Sequence, residues 1–335
     1  MILYLYYVII GDYMENKMSL PLIMAPLAGI TDSVCRRIVK SFGADITYSE
    51  MISSRGLWYK DKKTKELLYF EKEETPIVIQ LFGNEPDIMA YAAKEIEQYN
   101  PQGIDINMGC PMPKIVNNGD GCALMKDISL AAKVCEAVAK ATKLPVSVKF
   151  RSGWDEETLN AVEFAKAMEQ SGASLLTVHG RTRVQQYSGK ADLSVTSSVK
   201  NAVSIPVYHS GDVVDGASAL SIAKETGCDG LMIGRGALGS PWIFKEIKAA
   251  FEGKEYIAPN WKERIDMALK HAKMLCEYKG DLGGIRESRK FSAWYVKGLK
   301  GSARLRNDVT KATSYAQLEE LFNEYILSLK DGEEQ

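Results

Sequence analysis

Four short runs decide how this chain folds: PVSVKF (145–150), SLLTVH (174–179), IPVYHS (205–210) and GLMIG (230–234). Each is apolar, rich in β-branched residues and too short for a buried helix, so each reads as a strand. Two begin at an x-Pro step, Leu144-Pro145 and Ile205-Pro206, where a proline does least harm to a ladder. The same pattern extends backwards through LIMAP (22–26), DITYS (45–49), PIVIQLF (76–82) and GIDINM (103–108). Between most runs lie stretches of helical period. One places Ala131, Val134, Cys135 and Val138 on one face, and another spaces Ile88, Ala92 and Ile96 four apart. The connection around residues 50–75 is the least helical and reads as a long loop. Eight such units predict a TIM (β/α)8 barrel, an α/β fold; a doubly wound open sheet more often has five or six.

A barrel of this kind presents its functional residues at the carboxyl ends of its strands. Those ends carry Ala25-Pro26-Leu27-Ala28-Gly29, Gln80, Asn107-Met108-Gly109-Cys110-Pro111, Lys149 with Arg151, His179 before Gly180-Arg181-Thr182-Arg183, Ser210-Gly211-Asp212, and Gly234-Arg235-Gly236. The run GRGALG (234–239) fits G-x-G-x-x-G, yet it follows the eighth strand, where a dinucleotide loop would follow the first. Two glycine loops after strands seven and eight suit a phosphate held by backbone N–H groups. Lys149, in an otherwise apolar strand, is expected in the barrel mouth, where a cation would stabilise negative charge on a cofactor ring. His179 at a strand end is as readily a satisfied polar residue as a functional one. Cys110, in a Gly-Cys-Pro turn, could act as nucleophile or as general acid.

The remaining composition narrows the class. The chain has 335 residues, 42 Lys+Arg against 43 Asp+Glu, 46% apolar and 25% charged residues, which excludes global disorder and a protein basic throughout. Six cysteines without a C-x-x-C pair, and no signal peptide, read as reduced thiols of a cytoplasmic protein. No ligand-spaced Cys/His cluster points to a metal. The apolar opening MILYLYYVII is too short to span a bilayer, so no membrane association is expected. Residues 1–17 read as an N-terminal extension, disordered or misassigned, with Met14 or Met18 as alternative starts.

Charge is segregated along the chain. Residues 1–261 carry a net −3, residues 262–311 a net +7 and residues 312–335 a net −5. Past about residue 259 the strand pattern gives way to helical stretches, the last with Leu318, Leu321, Phe322, Tyr325, Ile326 and Leu329 on one face. Residues 286–306 hold seven Lys/Arg against Glu287, with Trp294 and Tyr295 interleaved. Basic residues with aromatics suit phosphate contact and base stacking; a solvated charged face over buried aromatics has the same pattern. The expected division is an extension over 1–17, a barrel over 18–258 and a helical domain over 259–335.

DINMGCP (105–111), followed by Gly119-Asp120-Gly121-Cys122-Ala123-Leu124, resembles the signature of the tRNA-dihydrouridine synthases, in their bacterial B-type branch. MAPLAGITD (24–32), QLFGNEP (80–86), SVKFRSGWD (147–155), TVHGRTRVQQYSG (177–189) and IGRGALGSPWIF (233–244) fit in the family's order and spacing. The resemblance implies a flavoprotein oxidoreductase of tRNA modification. It would be an FMN-binding barrel that reduces the C5=C6 bond of uridine in tRNA, with NADPH, or NADH, as electron source. Hydride would pass from flavin N5 to C6, and Cys110 would give the proton to C5. Pro26, Leu27 and Ala28 would line the isoalloxazine, Gln80 and Lys149 its edge, with His179 close by. Ser210, Gly211, Asp212, Gly234 and Arg235 would hold the ribityl phosphate. Asn107 would help hold the base, Arg181, Arg183, Arg286, Arg289, Lys290 and Lys297 would contact tRNA, and the helical domain over 259–335 would be tRNA-binding. No metal and no obligatory oligomer is implied. Ser210 departs from the Asn common in the family. The alternative is an FMN-dependent barrel acting on a small pyrimidine or enone, which would have no use for a basic helical tail.

Overall fold

A computed structural model describes residues 20–331; the expectation for residues 1–17 lies outside the described residues. Eight parallel strands close on themselves: β1 (Leu22–Met24), β2 (Ile46–Tyr48), β3 (Ile77–Phe82), β4 (Gly103–Met108), β5 (Val146–Arg151), β6 (Leu175–His179), β7 (Val207–Ser210) and β8 (Gly230–Ile233). Each pairs with its successor, and β1 closes on β8 through Ile23↔Met232. All the pairings are parallel, and the structure is a TIM barrel.

Strand parity sets what faces inward. Ile23, Ile46, Tyr48, Val78, Leu175, Tyr208 and Met232 form one buried apolar plug. In a strand the residue two further on faces the same way. Climbing by twos from Val78 therefore reaches Gln80, from Leu175 reaches Thr177 and His179, and from Tyr208 reaches Ser210. The barrel is apolar at the base and polar at the rim. The intervening residues of β3 to β5, such as Ile79, Leu81, Ile104, Ile106, Val148 and Phe150, pack outward against the helices.

The connection expected to be a long loop is more ordered than that. It holds a two-residue strand Ile52–Ser53 on the end of β3, then two single-turn helices, Ser54–Trp58 and Lys62–Glu66, and a 3-10 turn Lys72–Glu74. Its apolar residues are too few to give a helical period, and capping does the work. Ser53 accepts from Gly56 N–H and Asp61 from Thr64 N–H.

Four helices follow the barrel: Trp261–Lys279, Asp281–Tyr295, Ser302–Val309 and Tyr315–Asp331. The first two form a hairpin turned by Gly280 alone. Gly284 lets them approach, since a Cβ there would meet the Cys276 backbone at 2.4 Å. Leu318, Phe322 and Tyr325 are buried in this region's core with Leu321, Ile326 and Leu329 packed beside them. That core also takes in Val34, Ile38 and Phe42 of the barrel helix Ser33–Ser41. No helix among the described residues is long and apolar enough to cross a membrane, and no cluster of three or more metal-binding side chains occurs among them.

Candidate active site

A cleft of about 670 Å³ opens at the carboxyl ends of the strands. Its lining includes Pro26, Leu27, Ala28, Asn107, Cys110, Lys149, His179, Ser210, Gly211, Asp212, Gly234 and Arg235. Residues from six strand ends, up to about 200 positions apart in sequence, thus meet at one mouth.

The Cys110 turn is held from two sides. Asn107 Oδ1 accepts the N–H groups of Gly109 and Cys110 at 3.1 and 2.9 Å. Arg151 Nε donates to the Gly109 carbonyl at 2.7 Å, and its Nη1 donates to Thr182 O and Gln186 O. A polar chain behind Asn107 orients its amide. Asn107 Nδ2 donates to Gln80 Oε1, Gln80 Nε2 donates to Asp105, and Ser147 Oγ donates to the other oxygen of Asp105. Burial pushes the Asp105 carboxyl up to about 7, although the bonds from Ser147 and Gln80 pull the other way. Gln80 is fully buried in this chain and lies behind the cleft wall. Burial also raises the Cys110 thiol above its ordinary value, so it stays protonated at neutral pH.

The next strands around the barrel carry cations and a neutral ring into the same cleft. Burial, then the charge of Arg151, lowers the Lys149 ammonium to about 8. No hydrogen bond or ion pair engages that ammonium among the described residues. Burial and the neighbouring Lys149, Arg151 and Arg181 hold His179 well below its ordinary value, so the ring is neutral. Its Nδ1 is buried without a hydrogen-bond partner.

The β7 and β8 loops form a concave backbone surface. Gly211 and Asp212 both have positive φ, 132° and 53°, so the chain turns sharply after β7 at the cleft edge. A Cβ on Gly236 would sit 2.4 Å from Val213 O, so only glycine lets the two loops touch. His209 Nε2 donates to Gly211 O at 2.9 Å while Thr196 donates to its Nδ1. The Asp212 carboxylate accepts from Ala191 N–H, Arg181 and Arg235. Burial pushes its pKa up, yet the Ala191 N–H and the guanidinium of Arg181 outweigh that and hold it below the usual range.

Of the two arginines expected to contact tRNA from the sixth loop, Arg181 is turned inward and Arg183 is half-buried. Arg181 is 1% exposed and spends its guanidinium on Asp212, Ser188 O and Gly189 O, so it braces the β7 loop from within. Arg183 lies over the Trp154 ring at 4.7 Å, and Lys126 lies over the same ring. In the helical region Arg289 donates twice to Ala312 O, and Lys290 Nζ donates to Gly29 O of the β1 loop. Arg286 and Lys297 are exposed. Tyr295 is buried, within 5.8 Å of His271, and Trp294 stacks edge-on with Phe291; both are packing residues, contrary to a base-stacking role. Among the cleft residues, Arg151 stands at a strand end to which the sequence assigns no role, and Met51 and Tyr187 were not anticipated. Arg151 was visible two positions after Lys149, on the same strand face. Tyr187, flanked by the guanidiniums of Arg151 and Arg235 at 5.8 and 5.0 Å, comes from a loop with no periodic signal.

Known proteins resemble this chain over nearly its whole length. The family model described as dihydrouridine synthase (Dus) matches residues 23–330. A probable tRNA-dihydrouridine synthase of Rickettsia bellii is 40% identical over 95% of this chain and 98% of its own length. The tRNA-dihydrouridine synthase B of Pseudomonas aeruginosa is 38% identical over 89% of each chain. Among solved structures, histamine dehydrogenase from Rhizobium sp. 4-9 aligns with 76% of this chain and 49% of its own at TM-score 0.54 and 12% identity, a likeness of fold.

Proposed function

The chain belongs to the dihydrouridine synthase family, and from that premise we propose that it reduces the C5=C6 bond of specific uridines in tRNA to 5,6-dihydrouridine. The electron source is NADPH, or NADH, acting through a bound FMN. The observation that carries this is a grouping within one cleft. A thiol kept protonated, on a turn fixed by Asn107 and Arg151, shares the cleft with a lysine on the neighbouring strand and a neutral histidine, whose polar atoms have no protein partner among the described residues.

The residues fit a flavin. Lys149 and the buried Nδ1 of His179 offer polar partners for the ring edge. The paired positive-φ turn at Gly211-Asp212, with Gly234 and the Arg235 guanidinium, suits the phosphate. Asp212 serves it through its N–H and by placing Arg235, since its own carboxylate is repelled by phosphate and already satisfied. Pro26, Leu27 and Ala28 supply the apolar wall. When bound, the flavin supplies the hydride that reaches C6 of the uracil.

The protein's own part is the proton and the pose. As C6 gains hydride, charge develops on C5 and O4, and Cys110 Sγ–H delivers a proton to C5. The elevated thiol pKa keeps that proton in place until it is needed. Asn107 bonds Gln80 through one amide hydrogen and gives the other to the weak acceptor Met51 Sδ at 3.9 Å at the edge of the cleft, so a uracil carbonyl, a stronger acceptor, could take that hydrogen. The target uridine has to leave its stack, at a cost of a few kcal/mol that is smaller in a loop. The test is direct. The purified protein should carry a flavin absorption band and should form dihydrouridine in tRNA from a strain lacking it. A colourless protein with no dihydrouridine formed after added FMN and NADPH overturns the proposal.

A further inference from the structure

A second groove, of about 1200 Å³, runs between the 50–75 connection and the helical hairpin. Lys62, Lys63 and Lys65 line it from the connection and Tyr278 from the hairpin, and Tyr69 and Tyr99 also belong to its lining. The groove begins where the cleft ends: Met51 lines the cleft, Glu50 lines the groove, and the Glu50 carboxylate accepts Gly29 N–H from the β1 loop between them.

The lysine-bearing connection is rigidly mounted. Ile52, Leu57 and Leu68 are buried in the barrel core, and Arg36 fastens the connection by donating to Tyr69 O and pairing with buried Glu74 at 2.5 Å. On this platform all three lysines are exposed, and no ion pair or hydrogen bond engages them among the described residues. The acids of the groove are mostly committed. Asp32 and Glu287 share Lys279 at 2.8 and 2.6 Å, and burial, the largest influence on Glu50, disfavours its charged form. Among the acids lining the groove, Glu66 alone is uncommitted, and Asp61, which caps the lysine-bearing helix, lies near Lys63, so two carboxylates stand beside three lysines. The tyrosines are exposed, and Tyr69 and Tyr278 stack with ring centroids 5.9 Å apart across the barrel–hairpin seam. Unpaired cations beside exposed aromatic faces, in a groove, match a polyanion that also carries planar rings.

We propose that this groove holds the RNA strand adjoining the target uridine, with Lys62, Lys63 and Lys65 on its phosphates and the tyrosines beneath an unstacked base. The inference rests on the proposed function and adds a track on the barrel itself, formed by the connection after β2, which gives the cleft only Met51.

The test measures binding of unmodified tRNA to the full-length flavoprotein by fluorescence anisotropy over a series of salt concentrations. The Lys62→Gln, Lys63→Gln, Lys65→Gln triple variant should bind about ten- to a hundredfold more weakly. Its log–log salt slope should be shallower by about 2, since each phosphate contact contributes roughly 0.7–0.9. Lys133, Lys143 and Lys166, exposed on the barrel's outer helices and the loop beyond, are the control. The same three changes there should move the slope by less than about 0.5. Tyr278→Leu, which keeps apolar packing, should weaken binding about tenfold with the slope unchanged. If the wild type binds and reduces tRNA but the groove triple matches the control triple, the inference is wrong and the function stands. If the wild type neither binds nor reduces tRNA, both fall.

Discussion

The barrel mouth and the helical region use charge in opposite ways. At the mouth, strand register leaves a polar group no choice of direction. Lys149 and His179 are carried to the cleft because Ser147 and Leu175 lie below them, and their polar atoms are left for a ligand. In the helical region a charged side chain can swing to solvent or to a neighbouring carbonyl, and several swing inward. Arg289 closes on Ala312 O, Arg264 on Tyr295 O and Lys297 O, and Lys279 on Asp32. A basic count of the tail therefore overstates its free positive surface, whereas a residue list of the strand ends comes close to a description of the cleft.

The largest test of that contrast lies at the mouth. Cys110→Ala should retain its flavin band while turnover at saturating tRNA falls about 10²–10⁴-fold, the usual reach of a positioned general acid. Unchanged turnover would remove Cys110 from the chemistry. Next is Arg151→Gln, which deprives the Gly109 carbonyl of a charge-assisted bond worth roughly 1.5–3 kcal/mol. Turnover should drop about ten- to a hundredfold with little change in KM for tRNA, because the thiol's carrier is loosened and the RNA surface is not. A loss confined to KM would place Arg151 on the substrate instead.

Lys149 gives a pH signature. Its ammonium titrates near 8 in the free protein, because burial penalises the charge. A flavin that favours the charged lysine must draw in a proton when it binds above that pH. The sign follows: FMN affinity is full below about pH 7 and weakens as pH rises, by roughly tenfold at about pH 9. The Lys149→Met variant should bind more weakly with a flat profile. A wild-type profile equally flat would show that the lysine does not contact the flavin.

How much of this was legible follows from the same physics. Eight strands and the rim residues could be read because short β-branched runs and a period of two leave few alternatives. The direction of Gln80 could not, since its burial behind Asn107 depends on Asp105 and Ser147, two polar residues hidden inside strands that read as apolar. Arg181 looked like a substrate contact for the related reason that its partner, Asp212, is on a different loop 31 positions away. The 50–75 connection escaped because single-turn helices held by Ser53 and Asp61 caps carry no periodicity. In the tail, Trp294 and Tyr295 fit a stacking pattern and a core pattern equally, and only the neighbours His271 and Phe291 decide for the core.

The smallest effect separates the two uses of charge within the tail itself. Deleting the region would be a poor test, because it would strip Val34, Ile38 and Phe42 of their cover and destabilise the barrel helix that bears them. Point substitutions avoid this. Arg289→Met leaves the Ala312 carbonyl without its two donors, so stability should fall by about 1–3 kcal/mol, seen as a lower Tm. Arg286→Gln and Lys297→Gln remove exposed charges, so Tm should hold while tRNA affinity weakens a few-fold each and the salt slope becomes shallower. If instead Arg289→Met keeps its Tm and loses tRNA, its guanidinium leaves the carbonyl for phosphate in the complex. The tail's inward bonds would then be a resting arrangement that RNA displaces.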